Sequence, residues 1–228
     1  MIVLAAFLLG GVAGVLLWLY VTGFIERLQQ DIHATYVELF PKNPPIFQPH
    51  FAAIQPKKCG QIWRYFCLAG SLLACLQIYF NDDLFTLWIG STLLILWAIS
   101  YLDWHYQLIS PTPCLWLLAL GLFGAQNGFS AFTLAESLQS AAGFFLVFYG
   151  IYWLAKAYYK QEAFGCGDYW LALGLGSFLP LENLPHFLLL ACVLGIGFAL
   201  ILRKTKGFLP FGPFMCASVV ALWTVHSL

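Results

Sequence analysis

The stretch IVLAAFLLGGVAGVLLWLYVTGFI, from Ile2 to Ile25, runs for 24 residues without a charged side chain. A helix needs roughly 20 mostly apolar residues to cross a bilayer, so this one stretch is long enough to span. No Lys or Arg precedes it, and it is too long for a signal-peptide core, so it reads as a retained first span. Gly10 and Gly14 inside it have the small-xxx-small spacing that lets a second helix approach closely.

The rest of the chain extends the same reading. Of 228 residues, 61% are hydrophobic and 9% charged, and the mean hydropathy is +0.82. Soluble domains average about 45–50% apolar and about 25% charged residues. Apolar runs recur at roughly 2–24, 65–80, 84–102, 114–129, 137–158, 169–181, 184–202 and 211–227. The fold class expected is therefore all-α, a polytopic transmembrane helical bundle of about eight spans. Residues 1–228 read as a single integral-membrane domain whose partner is the lipid bilayer. The net charge of +0 gives no field suited to nucleic acid. Seven cysteines occur without a Cys-x-x-Cys pair, which supports neither a disulfide framework nor a four-thiolate zinc site.

A polar connection at about 25–64 separates the first two spans. Its opening part has apolar residues at 25, 28, 32, 36, 39 and 40, close to helical spacing, so an amphipathic helix is expected to continue from the first span. The run PKNPPIFQPH (41–50) breaks it. All ten Lys and Arg lie in or beside the first, fifth and seventh connections: Arg27, Lys42, Lys57, Lys58 and Arg64, then Lys156 and Lys160, then Arg203, Lys204 and Lys206. Odd-numbered connections share one face, and the positive-inside rule makes that face cytoplasmic.

Two acids sit at this face, within otherwise apolar surroundings. Asp103 ends the third apolar run in ISYLDWHYQLISP (99–111), and Asp168 begins the sixth in GCGDYW (165–170). An acid near the hydrocarbon core is costly and usually faces a partner or a wet cavity. Two carboxyls brought together cannot both ionise easily and come to share a proton. The charged member then takes a proton from water, and the protonated member donates to a carbonyl oxygen, which hydrolyses a peptide bond without a covalent intermediate. Gly165 and Gly167 permit positive φ and close approach of another backbone, so they are expected to shape a substrate groove. Other readings stand beside this one. Asp168 can be a helix N-cap, and Asp103 can sit at headgroup level. The same acids also suit a transporter or proton pathway, although no internal repeat accompanies them.

Three segments, in this order, resemble those of the type IV prepilin peptidases, a family of GxGD membrane aspartic proteases. GCGDYWLALGLGSFLP (165–180) is similar to their GxGD segment, and YLDWHYQLISP (101–111) to their first catalytic-aspartate segment. LPFGPFMCASVVAL (209–222) is similar to their motif in the penultimate loop. The resemblance implies that Asp103 and Asp168 are the catalytic pair. It implies cleavage of basic leader peptides from prepilin-like precursors at the cytoplasmic face of the bacterial inner membrane. It also implies S-adenosylmethionine as the methyl donor where a member N-methylates the new N-terminus. Three departures accompany it. Ser110 and Pro111 stand where the family usually has Pro-Asp, and Trp170 stands where Lys is common. Of the two Cys-x-x-Cys pairs many members carry in the first loop, only Cys59 remains, so zinc is not expected. An inactive member with an assembly role is the remaining alternative.

Overall fold

A computed structural model describes residues 1–42, 46, 54–57, 59–160, 165–201 and 209–227. The basic residues Lys58, Arg203, Lys204 and Lys206 lie outside the described residues. Every α-helix follows an apolar or amphipathic stretch of the sequence. The helices are α1 (Ile2–Thr22), α2 (Phe24–Leu39), α3 (Ile62–Phe80), α4 (Asp83–Tyr106), α5 (Pro111–Gln126), α6 (Leu134–Tyr159), α7 (Asp168–Gly176), α8 (Leu184–Ile201) and α9 (Gly212–Ser227), with a 3-10 turn at Leu181–Asn183 before α8. Among the described residues no strand occurs, and the eight apolar runs correspond to α1 and α3–α9. Among the described residues, five helical stretches are long and apolar enough to cross a membrane: α1, α3, α4, α6 and the turn with α8. The chain divides into two compact units, Met1–Thr86 and Leu87–Leu228.

In the first unit α1 packs on α3 through small residues. A Cβ added at Gly10 would stand 2.6 Å from the Ala69 carbonyl oxygen, and one at Gly70 would stand 2.8 Å from that of Phe7. The glycine spacing in α1 therefore serves close helix approach within the chain. The amphipathic stretch forms α2. Arg27 joins it to α1 by donating from Nη2 to the carbonyls of Leu19 and Tyr20, and from Nε to that of Gly23. The Leu19 and Gly23 carbonyls also accept the backbone N–H groups of Gly23 and Arg27, so the guanidinium adds to the helical bonds at this junction.

In the second unit α5, α6 and α7 pack side by side. Gly174 of α7 admits the Cys114 carbonyl of α5, which would lie 2.7 Å from an added Cβ. Phe144 and Phe148 of α6 and Phe187 of α8 are fully buried together. The capping box Thr133–Glu136 starts α6, each residue bonding the other's backbone N–H. The expected sixth span, 169–181, is helical only over the nine residues of α7, about 14 Å at the α-helical rise. The chain beyond it leaves the helical ladder, and hydroxyls of α6 take over the bonding. Ser137 Oγ donates to the Ser177 carbonyl at 2.8 Å, and Ser140 Oγ to the Leu179 carbonyl at 2.6 Å. Irregular backbone at membrane depth persists only with such partners. Ser140→Ala should therefore lower stability by about 1–2 kcal/mol, measured by unfolding in mixed detergent. Ala at the exposed position of Ser71 serves as the reference, and equal stability of the two variants would contradict this role.

Candidate active site

The C-terminal turn of α4 carries Asp103. The helix runs on past the expected boundary at 102 to Tyr106, so Asp103 sits within it. Gln107, at φ 53°, ends the helix by donating its N–H to the Asp103 carbonyl at 2.9 Å. Pro111 at the first position of α5 then sets the next helix without needing an N–H. The departures Ser110 and Pro111 thus occupy the start of α5.

Asp168 is the first residue of α7, and its N–H donates to the Gly165 carbonyl at 3.2 Å. Both acids are buried, at 5% exposure for Asp103 and 7% for Asp168. Their seats are joined through Ile109, which abuts both Gly167, the residue before Asp168, and Gly212, whose N–H bonds Asp103. Leu102 beside Asp103, and Leu171 and Met215 in the first turns of α7 and α9, are fully or almost fully buried. Carboxyls in such apolar surroundings interact far more strongly than they would in water.

The glycines of GCGD play different parts. Gly167 has φ −79° and ψ −25°, an ordinary right-handed conformation, and the only described glycine with positive φ is Gly128. The positive φ that glycine permits is therefore not used at Gly165 or Gly167; what Gly167 supplies is space for close approach. A Cβ there would stand 2.5 Å from Ile109 Cβ and 3.0 Å from the Ile109 carbonyl oxygen. At Gly165 the nearest atom to an added Cβ is Asp168 Oδ2, at 3.1 Å.

Two further residues shape the site, and composition gave no sign of either. The Gly212 N–H, at the start of α9, donates to Asp103 Oδ2 at 2.8 Å. Ile109 reaches both glycines, since its Cδ1 would lie 3.2 Å from a Cβ at Gly212. The ends of α4, α7 and α9 thus meet around one isoleucine. The available signal was the PFGPF motif, which the resemblance singled out without giving it a role.

Trp170 sits in an aromatic cluster with Phe145 and Tyr169, its ring centroid 5.7 Å from that of Phe145. Tyr149 and Tyr152 of α6 extend the cluster through Tyr169. Lys156 lies 3.2 Å from the Tyr152 hydroxyl and over the rings of Tyr152 and Trp153. His105, two residues from Asp103, stacks on Tyr101 and places Nδ1 3.0 Å from the Tyr101 carbonyl.

Residues 90–200 match the type IV leader peptidase family. The chain is 67% identical to a prepilin leader peptidase/N-methyltransferase of Haemophilus influenzae, over 99% of this chain and 98% of that protein. It is 31% identical to a type 4 prepilin-like proteins leader peptide-processing enzyme of Escherichia coli, over 57% of this chain and 47% of that one. It is 34% identical to a prepilin leader peptidase/N-methyltransferase of Stutzerimonas stutzeri, over 59% and 50% respectively. No solved structure matches the chain.

Proposed function

The chain belongs to the type IV leader peptidase family, and on that premise we propose that it is a membrane aspartic endopeptidase that cleaves leader peptides from prepilin-like precursors. Asp103 and Asp168 are its catalytic pair, sharing one proton across a water molecule. The ionised carboxylate removes a proton from the water as its oxygen attacks the scissile carbonyl carbon. The protonated carboxyl gives its proton to the carbonyl oxygen. Collapse of the tetrahedral intermediate breaks the C–N bond, and the amine leaves with a proton from the dyad. Gly165 and Gly167 border the groove in which the extended leader lies.

The observation that carries this reading is the burial of two carboxyls at the end of α4 and the start of α7, whose seats share Ile109: it abuts Gly167, next to Asp168, and Gly212, which bonds Asp103. A lone buried acid has little use for such a neighbour, since each opposes the other's charge. The basic connections support a cytoplasmic side for the dyad, and the family membership supports a bacterial inner membrane as its place. The precursor's apolar helix enters from the bilayer, and its leader stays on the basic side.

The names of the relatives pair cleavage with N-methylation, a transfer for which S-adenosylmethionine is the expected methyl donor. At the α1–α2 elbow the side chains of a type suited to such a donor engage each other and the backbone. A cleft of about 460 Å³ at the α1–α2 elbow has an aromatic ring and a cation among its lining residues, Tyr20 and Arg27. The Arg27 guanidinium, however, lies over the Tyr20 ring and is spent on three backbone carbonyls. The residue roles proposed here are those of hydrolysis.

The test is direct. Purified full-length protein in proteoliposomes is given a prepilin precursor, and the products are read by mass spectrometry. The expected result is release of the intact leader by a single cut ahead of the apolar segment. A precursor left whole by protein that remains folded would contradict the proposal and favour an assembly role.

A further inference from the structure

Gly212 is the part of the PFGPF segment that reaches Asp103. Its N–H donates to Asp103 Oδ2 at 2.8 Å in a buried setting. This donor belongs to the first residue of α9, where helix geometry leaves N–H groups without internal partners. The following residue, Pro213, has no N–H to offer. The turn before the helix is closed by Phe214 and Met215, whose N–H groups both return to the Phe211 carbonyl at 3.1 Å. The residue type is also constrained. A Cβ at 212 would stand 2.8 Å from Asp103 Oδ2, 3.2 Å from Asp103 Cγ and 3.2 Å from Ile109 Cδ1. A side chain there would have to displace the carboxylate, the isoleucine or the start of the helix.

We propose that Gly212 is a positioning residue for the hydrolysis: its N–H holds Asp103 by Oδ2 and leaves Oδ1 to face the attacking water and the Asp168 carboxyl. The proposal rests on the dyad reading above and adds a third element to it. A backbone donor is a rigid anchor, because it moves only with its helix. It fixes the carboxylate's rotation without adding a charge or a proton of its own. Ile109 backs this contact and also abuts Gly167, so the seat of Asp103 and the entry to α7 share one support.

The experiment compares Gly212→Ala with Gly150→Ala in the full-length protein, using the precursor cleavage assay. An added Cβ at Gly150 meets nothing within 4 Å, so this variant keeps the wild-type kcat. Gly212→Ala is expected to lose about 100-fold in kcat with KM changed less than about 2-fold, since roughly 1 Å of misplacement costs that much. A kcat within about 3-fold of wild type overturns the proposal, and so does a loss that falls wholly in KM. If Gly212→Ala is not recovered folded, hydrogen exchange decides instead. The Gly212 amide should exchange about 10-fold faster in Asp103→Ala, which removes its acceptor, and at the wild-type rate in Asp168→Ala. Equal protection in both overturns the proposal. The two readings fail separately: an active Asp103→Asn sinks the dyad, whereas an inactive Asp103→Asn beside a fully active Gly212→Ala sinks only the role of Gly212.

Discussion

Asp103→Asn and Asp168→Asn should each lower the cleavage rate by about 10³-fold or more while the protein stays inserted and helical. Asparagine has the shape of aspartate and can still accept the Gly212 N–H that Asp103 now accepts at 2.8 Å. What it cannot do is carry the negative charge that draws a proton from water, or carry the proton that the carbonyl oxygen receives. The substitution therefore removes the chemistry and leaves the packing of this buried position largely intact. The double variant should be little worse than either single one, because a dyad acts as a unit and its second member has no task once the first is gone. Single-turnover cleavage of a precursor separates this effect from binding. A variant that cleaves within about tenfold of wild type would show that its residue is not a catalytic member.

The second large effect is expected at Gly167. A Cβ there would meet Ile109 at 2.5 Å from its Cβ and 3.0 Å from its carbonyl oxygen. Neither atom can swing away by a change of rotamer, so the entry to α7 must move. Asp168 is the next residue and moves with it. Gly167→Val should cost about 10²-fold in kcat through that displacement. Gly165 provides the contrast, since its nearest obstacle is the carboxylate tip of Asp168 at 3.1 Å, a side-chain end that can turn. Gly165→Ala should cost less than about tenfold. Equal losses at the two positions would mean that the glycines act on the substrate alone and not through the placement of Asp168.

Much of this arrangement was legible in the sequence because membranes impose simple rules. Length and apolarity marked out the helices, and parity with the basic connections put residues 103 and 168 on one face. The less legible parts depend on contacts between distant segments. The shortness of α7 is invisible in LALGLGSFLP, since its apolar run continues past Gly176. What permits the early end is a pair of serines, Ser137 and Ser140, about forty positions away on α6. The role of Gly167 was half legible. The sequence marks a glycine before the acid, but the reason is the bulk of Ile109, and no local pattern relates the two. Gly212 was further out of reach, as its bond to Asp103 spans 109 positions.

The central claim is that the inner ends of α4 and α7 hold their two carboxyls side by side, and paired cysteines test it most directly. The seven native cysteines are replaced, Asp103→Cys and Asp168→Cys are combined, and the protein is oxidised or treated with a short bifunctional thiol reagent in native membranes. The account predicts rapid intramolecular joining of positions 103 and 168, and none when either cysteine is moved to the opposite end of its helix. Failure of the pair to join with any short reagent, in protein that remains inserted, would contradict it.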